Sequence, residues 1–361
     1  MLTGIRVLDL SRVLAGPLCT MMLGDLGADV VKVERPQTGD ETRGWGPPFD
    51  RSHTSAYFLS VNRNKRSVAV DLTDPEGVRQ VRKLAASADV VVDNFRPGAL
   101  ARLGLDPETL RQEHPQLIWC TISGFGSGST RPGYDVVVQA EAGWMSITGD
   151  PEGAPMKVGV ALADVIAGKD AAIAILAALV ARGRTHAGRR IDISLLHSSV
   201  SALVNVAQNV MVTGTEARRW GNAHPNLVPY QLFDAADRPM IVAVGSDSQW
   251  QGCTRALDLP DLGTAPRLLT NAGRVTHRAE VVTAIGQRLS MRSAAEWRER
   301  LEREGVPSGL VCTVREAMEA IGDGSSLTGI PPSVPGTVRL PPPALDEHGE
   351  AIRRFGWAVF A

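Results

Sequence analysis

The chain has 361 residues, 43% of them hydrophobic and 21% charged, enough to bury one large core or two smaller ones. Its 38 basic and 39 acidic side chains leave a formal charge of −1, which provides no basic footprint for nucleic acid or an anionic membrane and favours a small-molecule ligand. Cys19, Cys120, Cys253 and Cys312 are scattered without metal-ligand or disulfide-framework spacing, so all four are expected as buried thiols and no metal site is expected. The apolar run from Ala171 to Ala181 is shorter than the roughly 20 residues a membrane span needs. The opening Met1-Leu-Thr-Gly-Ile-Arg lacks the basic start and apolar core of a signal peptide, so a soluble cytoplasmic protein is expected.

In chain order, Ile5–Leu10 reads as a strand and Gly16-Pro17 opens a helix through Leu26. Strands follow at Val30–Glu34 and Ser67–Leu72. Asp74-Pro75 supplies an N-cap and an N1 proline for a helix ending near Ser87. Val90–Asn94 is nearly continuous valine, as in a strand buried on both faces. Asp106-Pro107 repeats the cap signal before a strand at Leu117–Ser123. Helices are predicted over Tyr134–Ile147 and Leu162–Ala181, then a strand at Arg190–Ser194 and a helix through Val212. This alternation predicts an α/β, Rossmann-like domain on a parallel sheet, with ligands beyond the carboxyl ends of its strands.

After Gly214 the pattern changes. Tyr230–Phe233 and Met240–Val244 read as a hairpin, with helices near Gln249–Leu257, Arg278–Ser290 and Ala294–Glu304. The predicted organisation is a large domain over 1–195 completed by 330–361, a linker helix over 196–219, a small α+β domain over 220–315 and a linker over 316–329. Pro331–Pro343 is proline-rich and reads as an extended passage back to the first domain.

Several chemistries lack their markers. The first strand–helix turn is Ser11-Arg-Val-Leu-Ala-Gly-Pro, not GxGxxG, and Pro17 removes an N–H that a phosphate would use, which disfavours a nicotinamide dehydrogenase. GxSxG, Walker A and HExxH motifs are also missing from the sequence. Gly124-Phe-Gly-Ser-Gly follows a strand and reads equally as a flexible loop. His224 beside Pro225 reads as a hydrogen-bonded loop residue. Two acids stand out: Asp164 has the least polar surroundings of any carboxylate, and Asp135 begins another apolar helix. Taken singly, each reads as well as a helix N-cap.

The chain also carries Val7-Leu-Asp-Leu-Ser-Arg-Val-Leu-Ala-Gly-Pro, Val31-Lys-Val-Glu-Arg-Pro, Asn64-Lys-Arg-Ser-Val-Ala-Val-Asp-Leu and Asp93-Asn-Phe-Arg-Pro-Gly. Ile122-Ser-Gly-Phe-Gly, Gly133-Tyr-Asp, Gln139-Ala-Glu-Ala-Gly-Trp-Met-Ser-Ile-Thr-Gly and Gly221-Asn-Ala-His-Pro-Asn follow in that order. Together they resemble the class III CoA-transferase (CaiB/BaiF) superfamily, which includes formyl-CoA transferase, carnitine CoA-transferase and α-methylacyl-CoA racemase. The resemblance covers nearly the whole chain. It implies that Asp164, in its Gly-x-x-x-x-Asp segment, is the nucleophile, passing through aspartyl anhydride and aspartyl-CoA thioester intermediates. Backbone N–H groups of the glycine loops would stabilise the oxyanions, and no tightly bound cofactor is needed because the CoA thioester is the substrate. It implies that Val13, Leu14 and Ala15 line the nucleotide pocket, that Arg35 lies by the adenosine, and that Val70, Leu72, Thr73, Asn94, Phe95 and Arg96 form the pocket sides. Arg102 would meet phosphate, its alternative reading being a solvated helix charge. Formyl-CoA members have a lysine shortly before the tyrosine matched by Tyr134, and Arg131 stands in that stretch here.

The resemblance further implies an interlocked homodimer, with second-domain residues near His224 closing the partner's active site. An α-methylacyl-CoA racemase is the nearest alternative, but it needs two proton-transfer groups and a Gly-His-Asp segment where this chain has Gly133-Tyr134-Asp135. That leaves Asp135 as an auxiliary acid or positioning group. A catalytically silent acyl-CoA-binding protein is the second alternative. Gly221-Asn-Ala-His-Pro-Asn-Leu-Val-Pro-Tyr is similar to members that exchange dicarboxylates with succinyl-CoA as donor.

Overall fold

The computed structural model describes residues 1–322 and 324–360. The chain divides into two compact units, one of residues 1–145, 157–215 and 322–361, the other of residues 146–156 and 216–321.

The first unit is built on six strands: β1 (Arg6–Asp9), β2 (Asp29–Glu34), β3 (Lys65–Ala69), β4 (Val90–Asp93), β5 (Ile118–Ser123) and β6 (Arg190–Ser194). They lie in the order β3-β2-β1-β4-β5-β6, every neighbouring pair parallel. This is the doubly wound order, and its direction reverses between β1 and β4, where a crevice opens beyond the strand ends. The middle strands carry Val7, Leu8, Val30, Val31 and Val90–Val92 with no exposed surface, because helices cover both faces.

Helices α1 (Ala15–Asp25), α2 (Pro75–Ala85), α3 (Pro107–Glu113), α4 (Asp135–Glu141), α5 (Leu162–Thr185), α6 (Leu195–Ser201) and α7 (Asn205–Thr213) follow in this unit. The predicted caps are present: Asp74 accepts from the Glu76 N–H and Asp106 from the Thr109 N–H. Two predicted helices are shorter than expected. The one over Tyr134–Ile147 breaks at Gly143, whose φ is +83°, and the one through Val212 breaks between α6 and α7 at Val204, with φ +44°. Pro331–Pro343 holds no helix or strand, but it is pinned to this unit. The Asn64 N–H donates to the Leu340 carbonyl (2.9 Å), and Arg339 donates to the Ala28 carbonyl (2.6 Å).

The second unit has a small antiparallel sheet, β7 (Tyr230–Asp234), β8 (Pro239–Ala243) and β9 (Ser308–Leu310), in that order. The first two form the predicted hairpin. The third is only three residues long, too short for an alternation to mark it. Helices α8 (Asp247–Ala256), α9 (Arg278–Leu289) and α10 (Ala294–Arg303) pack on it around Trp250 and Trp297. Cys19, Cys120 and Cys253 are buried as expected, whereas Cys312 is exposed because it follows the last strand into a surface loop. Among the described residues no single helix is long and apolar enough to cross a membrane.

Beneath the β1–α1 turn lies a buried ionic network. Asp9 accepts from Thr20 Oγ1 (2.6 Å), the Ser11 N–H (2.9 Å) and Lys65 Nζ (3.0 Å). Lys65 also donates to the Pro17 carbonyl (2.8 Å) and Asn62 Oδ1 (2.9 Å). Beside it, Lys32 donates to the Ser11 carbonyl (2.8 Å) and pairs with Asp40 (3.0 Å). Burial pushes the Asp9 carboxyl up, but Lys65, Lys32 and the hydroxyls of Ser11 and Thr20 outweigh it and bring it down to about 2. Removing one partner strands a charge in the core. Lys65→Met is therefore expected to cost about 3–5 kcal/mol, read as a lower midpoint of urea unfolding.

Candidate active site

Asp164 sits in the first turn of α5, whose N-cap, Ala161, has no capping side chain. The missing cap comes from another helix. Asp135, first residue of α4, accepts from the Ala163 N–H (2.8 Å) and the Asp164 N–H (3.2 Å) through Oδ1. Its Oδ2 accepts from Gln139 Nε2 (2.6 Å), one turn along α4. Gln139 in turn accepts from the Val158 N–H (2.8 Å) and so ties down the segment that leads into α5.

Two close backbone approaches bring these helices to the strand ends. A Cβ on Gly168 would stand 2.6 Å from the Ala15 carbonyl, so glycine lets α5 lie directly on the start of α1. Gly124, after β5, and Gly133, before Tyr134, touch backbone to backbone, and a Cβ on either would come within 2.4 Å of the other's Cα. That contact delivers Gly133-Tyr134-Asp135 to the carboxyl end of the sheet.

Two like charges now share one site. Burial, and then the Asp135 charge, push Asp164 up to about 7, against the pull of the helix N-terminus. Burial likewise drives the Tyr57 hydroxyl up to about 12, with Asp164 adding to it.

Three cavities adjoin in series, the second and third meeting at Asp164. The first, of about 750 Å³, is lined by Arg35, Val70, Leu72 and Thr73. The second, of about 990 Å³, is lined by Val13, Leu14, Ala15, Asn94, Arg96, Arg131, Tyr134, Asp135 and Asp164. Arg12 and Phe95 belong to both. The third, an open groove of about 580 Å³, shares Val13, Tyr134, Asp135 and Asp164 with the second and adds Trp45, Tyr57 and Lys157. Asp164 therefore stands at the junction of a long two-part channel and a short groove. None of the lining residues is a histidine. Among the described residues no group of His, Cys, Asp and Glu is arranged to hold a metal ion.

Of the catalytic and CoA-contact residues expected from the sequence, Arg102 alone lines none of these three cavities. It is exposed at the end of a short helical turn, Ala99–Arg102. Arg131 is occupied, with its guanidinium paired to Glu141 and stacked on Phe125 at 4.0 Å. His224 lies in the second unit, its ring against Tyr230 and its Nδ1 accepting from the Asn226 N–H (3.0 Å). Arg12, Trp45, Tyr57, Gln139 and Lys157 were not singled out. Arg12 stood inside a quoted motif, and two of the chain's three tyrosines, Tyr57 and Tyr134, turn out to line the groove. The Arg12 Nε is buried without a hydrogen-bond partner at the wall common to the first two cavities.

Residues 2–323 match the family model described as CoA-transferase family III. The chain belongs to that family. A succinyl-CoA:glutarate CoA-transferase of Mus musculus is 43% identical over 350 residues, covering 95% of this chain and 80% of that protein. A succinate–glutarate CoA-transferase of Agrobacterium fabrum is 43% identical over 87% of this chain and 81% of its own length. The crystal structure of a CaiB/BaiF family protein from Brucella suis superposes with a TM-score of 0.86 at 39% identity, covering 98% of both chains. The protein is thus a family III CoA-transferase, an enzyme acting on CoA thioesters.

The raised Asp164 carboxyl has two measurable consequences. With Asp164 in the nucleophile's role that the resemblance implies, only its ionised form can attack, so kcat/KM is expected to rise with pH through about 7. Replacing Asp135 by Asn removes the like charge, lowers the Asp164 pKa and should move that acid limb to lower pH in a pH–rate profile. The sign for stability is the reverse of a salt bridge. A carboxyl whose folded pKa lies above its unfolded value of about 3.9 costs stability that grows as pH rises from about 4 to about 7. Asp164→Asn is expected to raise Tm by about 3 °C or more at pH 8 and to leave it unchanged at pH 4, checked by calorimetry.

Proposed function

We propose that the enzyme moves CoA from succinyl-CoA to a dicarboxylic acid such as glutarate, with Asp164 as the covalent carrier. The observation that carries this reading is the position of Asp164 at the meeting of channel and groove. A thioester carbonyl held there would place CoA on one side and the acyl group on the other. The channel suits CoA: Arg35, Val70, Leu72 and Thr73 would flank the nucleotide, with Arg12 for its phosphates. Val13, Leu14, Ala15, Asn94, Phe95, Arg96 and Tyr134 would line the pantetheine arm. Arg102 would reach a phosphate from outside the channel, and Arg131 would do so only by leaving Glu141. The relatives' names supply the donor and the acceptor.

The Asp164 carboxylate attacks the thioester carbonyl, the C–S bond breaks and CoA leaves as thiolate, giving a mixed anhydride. The thiolate then attacks the aspartyl carbonyl, releasing succinate and forming an aspartyl-CoA thioester. The incoming carboxylate attacks that thioester, expelling the thiolate and making a second anhydride. Attack of the thiolate on the new acyl carbonyl yields product and restores the Asp164 carboxylate. Activation is retained at every step, and proximity of the held thiolate does most of the work. Asp135 acts in this scheme as a positioning group, since both its oxygens already accept hydrogen bonds. The histidine-free lining argues against racemisation, which needs a second proton carrier.

Exposed apolar side chains on α5 and α7, including Ile173 (65% exposed), Met211 (70%) and Val212 (73%), support a homodimer that covers them, with residues near His224 closing the partner's site. Light scattering should give twice the chain mass.

Mixing enzyme with succinyl-CoA and glutarate should produce glutaryl-CoA by mass spectrometry. Hydroxylamine trapping during turnover should mark the peptide containing Asp164. Asp164→Ala should lose at least 1,000-fold in rate. Exchange that survives in Asp164→Ala would overturn the assignment.

A further inference from the structure

The groove beside Asp164 differs from the channel in its chemistry. Its walls are apolar and aromatic: Trp45 meets Tyr57 edge to face at 5.3 Å between ring centres, and Val160, Ala161 and Tyr134 complete them. Two of its lining side chains, Asp135 and Asp164, are acids. Its one cation is Lys157.

Lys157 is unlike the other charged residues nearby. Lys32 and Lys65 are locked in the buried network, and Arg131 is paired with Glu141. The Lys157 ammonium makes a single hydrogen bond, to the neighbouring Val158 carbonyl at 3.2 Å. Among the described residues no carboxylate lies within ion-pairing distance of it. The segment that carries it is nonetheless held firmly, because Gln139 takes the Val158 N–H and donates to the Val160 carbonyl (3.2 Å). A fixed backbone thus presents an uncommitted ammonium to a groove whose reacting group is an anion.

We propose that Lys157 binds the distal carboxylate of the acid being exchanged, which makes the groove selective for short dicarboxylates over monocarboxylates. This rests on the transferase reading above and adds the residue that sets its substrate class. A dicarboxylate brings two negative charges toward Asp164 and Asp135. One of its carboxylates must come to the Asp164 carbonyl, and the other needs a cation in the same groove. The aromatic walls hold the methylene chain between them. A monocarboxylate with the same hydrocarbon chain, such as butyrate beside glutarate, fills the walls but leaves Lys157 unpaired. A lysine serves as a point charge on a flexible stem and so accepts acids of slightly different length.

The test has two readouts. In exchange assays with succinyl-CoA, Lys157→Met is expected to raise KM for glutarate about tenfold or more while changing butyrate less than twofold, and Lys157→Arg is expected to restore most of the preference. An unchanged ratio of glutarate to butyrate kcat/KM in Lys157→Met would overturn the proposal while leaving the transferase intact. The second readout needs no turnover. Reductive methylation of Lys157 in the wild-type enzyme, followed by peptide mass spectrometry, should be slowed by glutarate and not by butyrate. Equal protection by both acids, or by neither, would overturn the role of Lys157. Loss of glutaryl-CoA formation in the wild-type enzyme, with selective protection retained, would instead sink the transferase reading.

Discussion

The β1–α1 turn is held by charges that have no access to water. Asp9 with Lys65 and Lys32 with Asp40 sit side by side under the strand ends, all four side chains fully buried. Such pairs rarely add net stability, because removing four charges from water costs as much as their attraction returns. What they contribute here is geometry. Val13 adopts φ +71°, a conformation hostile to a β-branched residue. It persists because the Val13 N–H points at the Asp40 carboxylate, while Asn94 bonds Arg12 through both its N–H and its carbonyl. The strained turn is the floor on which channel and groove meet.

The second constraint is the cost of placing Asp164. Asp164 gains from the helix N-terminus but loses more to burial and to Asp135, so its carboxyl is less ionised than an exposed aspartate at neutral pH. The same Asp135 that penalises it also caps its helix, holding the Asp164 backbone through two N–H groups. An uncharged side chain could make those bonds without the penalty. The arrangement exchanges stability for a carboxylate that is desolvated, and therefore more nucleophilic, once it ionises.

In the proposed function, channel and groove divide the labour of recognition. Arginines, a phenylalanine and loop backbone surround the long arm, which suits a ligand with phosphates at one end and a flexible chain at the other. Aromatic rings and one ammonium surround the short arm. On that reading, selectivity among acids would change in the groove without disturbing the channel, because the two share only Val13, Tyr134, Asp135 and Asp164.

Much of this was written in the sequence. Continuous valine over 90–92 announced a doubly covered strand, and Asp74-Pro75 and Asp106-Pro107 announced their helices, since burial of a strand and capping of a helix depend on local residue type. The ordered motifs singled out Asp164 and most of the channel. Helix breaks at Gly143 and Val204 escaped because apolar periodicity ran on through them, and β9 escaped because three residues carry no period. The capping of α5 by Asp135, 29 residues before Asp164, exists only because Gly124 and Gly133 touch. Trp45, Tyr57 and Lys157 likewise come from three separate segments and share one groove only after the chain has folded. Local chemistry and periodicity decided the elements, and only the resemblance of the ordered motifs pointed to Asp164. Long-range close packing decided the groove, because no spacing along the chain encodes which distant side chains will face one another.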